Sequence, residues 1–272
     1  MNSVKLIFEN FDEQKSDLVA ALLSAENVEG FEHADNDFYA FFAENNFDEN
    51  IISNILKPFD FHFKKEIIAP QNWNEEWEKN FEPILINNEV GVRAAFHPPF
   101  ENVKYDIEIT PKMSFGTGHH ATTQLMLQYG CDTDFAGKTI FDFGCGTGVL
   151  AIFASMKNAA HVVGIDNDEW SIENARENCE RNQCTNIVIS INDIETIDEQ
   201  FDIILANINL NILIQYKQQL KKLLKPDGKL YLSGLLTSDK ANITDHYTDI
   251  GFKLTSHKQQ KEWIALEMTL TP

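Results

Sequence analysis

Short apolar runs alternate with amphipathic stretches through the second half of this chain. KTIFDF, HVVGID, NIVISI, FDIILAN and GKLYLSG are nearly continuous in apolar residues. Most are separated by segments whose apolar positions recur every three or four residues: Val149 to Met156, Glu169 to Arg181 and Asn211 to Leu224. The first pattern is that of strands covered on both faces, and the second that of helices packed by one stripe. Their alternation predicts an α/β fold with parallel strands joined by right-handed helical crossovers. A helix over Lys240 to Thr248 and two strands in direct succession, GFKLTSHK and EWIALEMTL, end the pattern. Strands with no crossover between them form a hairpin, so the expected sheet of seven strands, five plus two, is mostly parallel with an antiparallel terminal hairpin.

The first part of the chain has a different order. VKLIFE, a helix around Gln14 to Ala25, strands at GFEHAD and DFYAFFA, a helix over Glu49 to Leu56 and the strand FHFKKEII read as strand, helix, strand, strand, helix, strand. That is the order of a small α+β ferredoxin-like domain, assigned to residues 1–68. Residues 69–90 are expected to be a linker with a short helix in PQNWNEEWEKNFEP, where Trp73 and Trp77 share a helical face and act as a packing seam. VRAAF and YDIEITP are strand-like, and the second domain is placed at residues 91–272.

Charge sharpens this division. The 22 Lys and Arg against 42 Asp and Glu give a net charge of -20, which disfavours contact with a phosphate backbone and points to a basic partner. Residues 1–60 hold 13 acidic side chains and 3 lysines, so 3 minus 13, or -10, half of the total, lies in the small domain. That domain is read as a docking surface for something basic, although a solvated acidic exterior has the same composition. Cys131, Cys145, Cys179 and Cys184 lack metal-site spacing, and no metal is expected. No apolar run is long enough to span a bilayer, and the chain reads as a cytoplasmic protein and a monomer.

The chemistry is concentrated in FDFGCGTG, Phe141 to Gly148, which leaves one apolar strand and enters a helix. In a doubly wound fold this turn receives a nucleotide-like ligand. Gly144 and Gly146 let the backbone approach it, and Asp166, at the end of the next strand, is placed to accept hydrogen bonds from two ribose hydroxyls. A dinucleotide fingerprint would need glycine where Val149 stands, so nicotinamide is disfavoured. Asp142, just before the turn, suits the cationic amino-acid end of a sulfonium ligand, which indicates S-adenosylmethionine.

DFGCGTGVLAI, the upstream MSFGTGHHATT and the downstream ANI together resemble the family of methyltransferases acting on ribosomal protein L11, PrmA. The resemblance extends over almost the whole chain, and MSFGTGHHATT is its most specific part. It implies a Rossmann-like class I methyltransferase domain behind a substrate-recognition domain. It also implies methyl transfer from S-adenosylmethionine to lysine or N-terminal amines of a large-subunit ribosomal protein, with cofactor contacts at Thr123, Gly144, Asp166 and Asn207. Phe115, in the loop preceding the helix, is assigned to the same cofactor. NINLN, which contains Asn207, departs from the more usual NILA of the family.

Methyl transfer from a sulfonium is an in-line displacement that needs alignment and a neutral amine rather than a covalent nucleophile. Asn207, at the carboxyl edge of the sheet, is the candidate catalytic residue, its amide oxygen orienting the amine; outside this context it would be a turn or cap residue. In SFGTGHHATT, Thr122 or Thr123 could cap the following helix, while the loop could close over the ligand. His119 and His120 cannot both face inward, Trp170 could flank the adenine or simply pack, and Cys145 is given no redox role. Two rival functions fit the same motifs. One is methylation of another protein, RNA or a small amine, and the other is a cofactor-binding module without catalysis.

Overall fold

The computed structural model describes residues 3–24, 26–34, 36–68, 81–110, 112 and 114–271. It divides into two compact units, Met1–Asn80 and Phe81–Pro272. The helix expected around Trp73 and Trp77 lies outside the described residues.

In the first unit, β1 (Ser3–Phe8), α1 (Glu13–Leu23), β2 (Val28–Ala34), β3 (Asp37–Ala43), α2 (Glu49–Leu56) and β4 (Lys64–Ile68) follow the expected order. The sheet runs β2-β3-β1-β4 with antiparallel pairs throughout, the ferredoxin-like arrangement. Alternation along β1 and β3 turns Val4, Leu6, Phe8, Phe38, Ala40 and Phe42 onto one face, where Val19, Leu23, Ile52 and Leu56 of the helices cover them. Two of the acidic residues have local work: Asp12 caps α1 through the Lys15 N–H, and Asp48 caps α2 through the N–H groups of Asn50 and Ile51.

The second unit begins earlier than the sequence suggested. β5 (Ile84–Ile86) and β6 (Val90–Ala94), assigned wholly or partly to the linker, join β7 (Tyr105–Ile109) in a sheet of their own. β5 and β6 are antiparallel, whereas β6 and β7 are parallel. The buried Arg93 on β6 is satisfied by Asp106 at 3.0 Å and Glu108 at 2.9 Å. After α3 (Ala121–Asp132) come β8 (Thr139–Phe143), α4 (Val149–Met156), β9 (His161–Asp166), α5 (Glu169–Arg181), β10 (Ile187–Ile191) and β11 (Phe201–Asn207). Then follow α6 (Leu210–Gln215), α7 (Lys217–Leu223), β12 (Leu224–Leu236), α8 (Lys240–Thr248), β13 (Phe252–Gln260) and β14 (Trp263–Leu270).

The large sheet has the order β10-β9-β8-β11-β12-β14-β13. β8 to β12 pair in parallel, and β14 is antiparallel to both its neighbours. This is the Rossmann-like class I methyltransferase arrangement, with the last strand inserted between two earlier ones. Successive strand residues face opposite sides, so Ile140, Val162, Ile189 and Leu205 pack with α3, α4 and α5, while Phe141, Val163, Ile204 and Leu232 pack with α6, α7 and α8.

The helix expected over Asn211 to Leu224 is two shorter helices, broken at Tyr216, whose φ of -98° and ψ of 12° leave the helical region. The Tyr216 ring lies edge-on to Phe143, with centroids 5.7 Å apart. Packing of Tyr216 against the strand end accompanies the break in the helical period. The three-to-four-residue period of the segment carries no sign of this contact.

Candidate active site

The turn from β8 into α4 fixes the site. Gly144 N–H and Cys145 N–H both donate to the Ile165 carbonyl on β9, at 2.9 and 3.0 Å. Gly144, Gly146 and Gly148 have φ of +74°, +52° and +78°, a region where side chains are strained. Gly146 has a second reason to be glycine, because a Cβ there would collide with the carbonyl group of Phe115. The Phe115 and Gly116 carbonyls accept the Thr147 N–H and hydroxyl at 2.9 and 2.7 Å, so the SFGTGHH loop is fastened across the glycine turn. On the other side, Asn178 of α5 donates to the Thr147 carbonyl at 2.9 Å and accepts the Thr110 N–H at 2.7 Å.

Asp166 ends β9 with its carboxylate facing the turn. Its Oδ2 accepts the Gly146 N–H at 2.9 Å and its Oδ1 accepts the Asp168 N–H at 3.1 Å. A carboxylate has about four acceptor positions, so two remain for a ligand. Asn207 ends β11 beside the same turn; Nδ2 donates to Thr123 Oγ1 over 3.4 Å, and among the described residues Oδ1 has no partner although it is buried. Uncompensated burial of an amide oxygen costs on the order of 1–3 kcal/mol, a penalty usually met by a ligand or water.

These strand ends surround a cavity of about 770 Å³, well within the usual size range of small-molecule sites. Gly144, Gly146, Asp166, Asn207 and Phe115, the sequence's candidates for cofactor contact, all line it. Thr123 and Asp142 stand behind the lining: Thr123 is fully buried, and Asp142 accepts the Ala151 N–H at 3.2 Å. Asp142 thus holds the first turn of α4, whose cap position is a glycine without a side chain. Burial pushes its carboxyl up to about 7, the charge of Asp166 adds to that, and the Ala151 hydrogen bond opposes it. Direct contact between Asp142 and a ligand, expected from its place before the turn, would need that carboxyl to reach past the turn.

Two further expectations change, the cap of α3 and the place of Trp170. The cap of α3 is His120 rather than Thr122 or Thr123: its Nδ1 accepts the Thr122 N–H at 3.3 Å and sits 2.7 Å from the Thr122 hydroxyl. His120 and Thr122 line the cavity, whereas His119 is exposed and meets the Glu82 carbonyl at 3.0 Å. Trp170 is 75% exposed and outside the lining, and Trp263, with its ring centroid 4.6 Å from that of His120, is the tryptophan of the cavity wall. Asn209, in the segment that departs from the family pattern, caps α6 through the Ile212 N–H at 3.1 Å.

Sequence reading missed Tyr216, Trp263 and the Asn192–Asp193–Ile194 segment, all of which line the cavity. The last had a signal, since it follows β10 at the same sheet edge at which Asp166 follows β9. Trp263 had none, because the antiparallel insertion of β14 is what brings its first residue beside Leu236 at that edge.

The residues present fit S-adenosylmethionine: a glycine turn held open, a carboxylate with free acceptor positions, and an orphaned amide oxygen share one cavity. Residues 6–271 match the family model described as ribosomal protein L11 methyltransferase (PrmA). A protein named ribosomal protein L11 methyltransferase from Bacteroides thetaiotaomicron is 36% identical over 94% of this chain and 95% of its own. One of the same name from Porphyromonas gingivalis is 37% identical over 93% and 90%. The crystal structure of a ribosomal protein L11 methylase from Lactobacillus delbrueckii subsp. bulgaricus superimposes with a TM-score of 0.65 at 26% identity, covering 71% of this chain and all of that one. Sequence, fold and cavity therefore agree that the chain belongs to the ribosomal protein L11 methyltransferase (PrmA) family of S-adenosylmethionine-dependent methyltransferases.

Proposed function

We propose that this protein methylates lysine or N-terminal amines of ribosomal protein L11 in the cytoplasm, acting as a monomer on a basic partner that its acidic first unit recognises. The cofactor, when bound, supplies an electrophilic methyl group. The observation that carries the reading is the partnerless Asn207 Oδ1 beside a cavity whose other strand ends offer Asp166 and the glycine turn.

Each side chain has a proposed role. Asp166 uses its two remaining acceptor positions for ribose hydroxyls, while Gly144 and Gly146 admit the ligand to the backbone. Asn207 Oδ1 accepts an N–H of the incoming amine and orients it. Phe115, His120 and Trp263 keep water from the reacting end. A lysine amine with an ordinary pKa near 10.4 must be neutral to react, which near pH 7.4 costs on the order of 4 kcal/mol, while an α-amine near 8 costs much less. His120 Nδ1 is engaged by Thr122 and does not serve as the base. The net charge of -20 supports a basic protein as substrate over RNA. Among the described residues no helix is long and apolar enough to cross a membrane.

Incubation of the purified protein with radiolabelled S-adenosylmethionine and either purified L11 or methyl-depleted lysate tests the assignment. Label in L11 alone supports it. Label in RNA or in another protein replaces the substrate, and cofactor binding without label in any fraction leaves a binding module.

A further inference from the structure

Asn174 and Asn178 on α5 and Asn182 at its end recur every four residues and share one helical face. The first two are fully buried and the third is half-buried. Buried amides are costly unless paired, and these pair with the edge of a sheet. β7 is the outer strand of its sheet, hydrogen-bonded to β6 on one side. On the other side Glu108 and Thr110, two residues apart, present their N–H and C=O groups in the same direction. Asn182 satisfies both groups of Glu108: its Oδ1 accepts the N–H at 3.0 Å and its Nδ2 donates to the carbonyl at 2.6 Å. Side chains of a helix thus cover the open edge in place of a further strand.

Thr110 is served differently. Asn178 Oδ1 accepts its N–H at 2.7 Å, but its carbonyl is taken by Asn174 Nδ2 at 3.2 Å. The Asn178 Nδ2 is directed to the Thr147 carbonyl at 2.9 Å and to Asn174 Oδ1 at 2.7 Å. A backbone N–H can only donate and a backbone carbonyl only accept, so Thr110 and Thr147 fix which end of the Asn178 amide faces which way. Asn178 is therefore the rung at which the ladder leaves β7 and reaches the glycine turn. Thr147 lies between Gly146 and Gly148, both at positive φ. Glycine tolerates φ of either sign, so the peptide joining Thr147 to Gly148 can turn over unless its carbonyl is held.

We propose that Asn178 is a positioning residue of the cofactor site: it ties the end of β7, just ahead of the SFGTGHH loop, to the Thr147 carbonyl, and so fixes the shape of the glycine turn that receives S-adenosylmethionine. Asn178 does not line the cavity, whereas Gly146 and Phe115 do, so it acts through Thr147. The N–H and hydroxyl of Thr147 hold the loop through the Phe115 and Gly116 carbonyls. Loop, turn and β7 are thereby set against one another at Thr147.

This inference rests on the reading that the glycine turn and Asp166 hold the cofactor, and the experiment separates the two. Asn178→Ala, Asn182→Ala and Asp166→Ala are compared with the natural protein by melting temperature, by calorimetric affinity for S-adenosylmethionine, and by the backbone 15N–1H signals of Gly146, Thr147 and Gly148 without cofactor. Asn178→Ala and Asn182→Ala each remove one rung, and both should melt earlier. Only Asn178→Ala should also weaken cofactor binding, by about tenfold, and shift the signals of the turn, while Asn182→Ala stays within about twofold of the natural affinity. Equal affinities for these two folded variants, with the turn signals unmoved, would overturn the proposal and leave the ladder as a support for β7 alone. If Asp166→Ala binds as the natural protein does, the reading of the cofactor site fails instead. Hydrogen exchange in the natural, cofactor-free protein decides the matter should Asn178→Ala not fold. The Asn178 side-chain amide protons are expected to be protected together with the Thr110 N–H, and their rapid exchange beside a protected Thr110 would overturn the proposal.

Discussion

The carbonyl oxygen of Phe115 occupies the place that a Cβ on Gly146 would need. Two segments thirty-one residues apart, the SFGTGHH loop and the glycine turn, are thus packed backbone to backbone, and the same carbonyl accepts the Thr147 N–H at 2.9 Å. Gly146→Ala should combine this collision with the strain of a side chain at φ +52°. It is expected to destabilise the protein by about 2 kcal/mol or more and to weaken cofactor binding, because the loop and the turn must separate. Thermal melting and calorimetry would check both; a variant that melts and binds like the natural protein would contradict the packing described.

Asp166 offers a simpler test. Its carboxylate holds the Gly146 N–H and has acceptor positions to spare for ribose hydroxyls. Hydrogen bonds to a charged group are each worth about 1.5–3 kcal/mol, so Asp166→Ala should reduce affinity for S-adenosylmethionine by about one hundredfold. Asp166→Asn should lose less, since one oxygen remains. Calorimetric titration of the cofactor distinguishes these outcomes from no change, which would remove Asp166 from the site.

Asp142 makes stability depend on pH. Its carboxyl titrates at about 7 in the folded protein because burial disfavours the charged form, against about 3.9 in an unfolded chain. A raised acid is stabilising in its protonated state: the contribution is complete below about 3.9 and fades as pH climbs, until it is lost above about 7. The span corresponds to at most about 4 kcal/mol. Asp142→Asn keeps an acceptor for the Ala151 N–H and cannot ionise. The difference in melting temperature between this variant and the natural protein should grow in the variant's favour from pH 5 to pH 8 and be smallest at the acid end. A constant difference across that range would mean that Asp142 does not hold its proton.

The acidic first unit predicts a salt effect confined to the protein substrate. Exposed charges attract over a distance set by the ionic strength. Raising salt from about 0.05 M to about 0.5 M should lower kcat/KM for L11 by about tenfold, with the affinity for cofactor nearly constant. Steady-state kinetics at several salt concentrations checks this, and a flat response would leave the negative charge of that unit as a solvating surface.

Much was legible in the chain itself. Buried parallel strands must be apolar on both faces, so β8 to β12 stand out as apolar runs, and the amphipathic segments between them became helical, the last as two helices broken at Tyr216. Glycines forced to positive φ and a carboxylate at the next strand end mark a ligand turn wherever they occur in this order, and Gly144, Gly146 and Asp166 do line the cavity. The family was likewise visible in MSFGTGHHATT. All of these are local: each depends on the period, the backbone demand or the identity of residues close together in the chain.

What the tertiary structure alone decided depends on distant residues. The antiparallel insertion of β14 brings Trp263 to the cavity, contact with Phe143 accompanies the break at Tyr216, and neither leaves a trace in a local pattern. Asp142 and Thr123 were found by motif, but only packing shows that both stand behind the cavity wall and act on neighbours, Ala151 and Asn207. Periodicity and backbone conformation are properties of neighbouring residues, whereas which atom of a buried side chain is left without a partner is a property of everything packed around it.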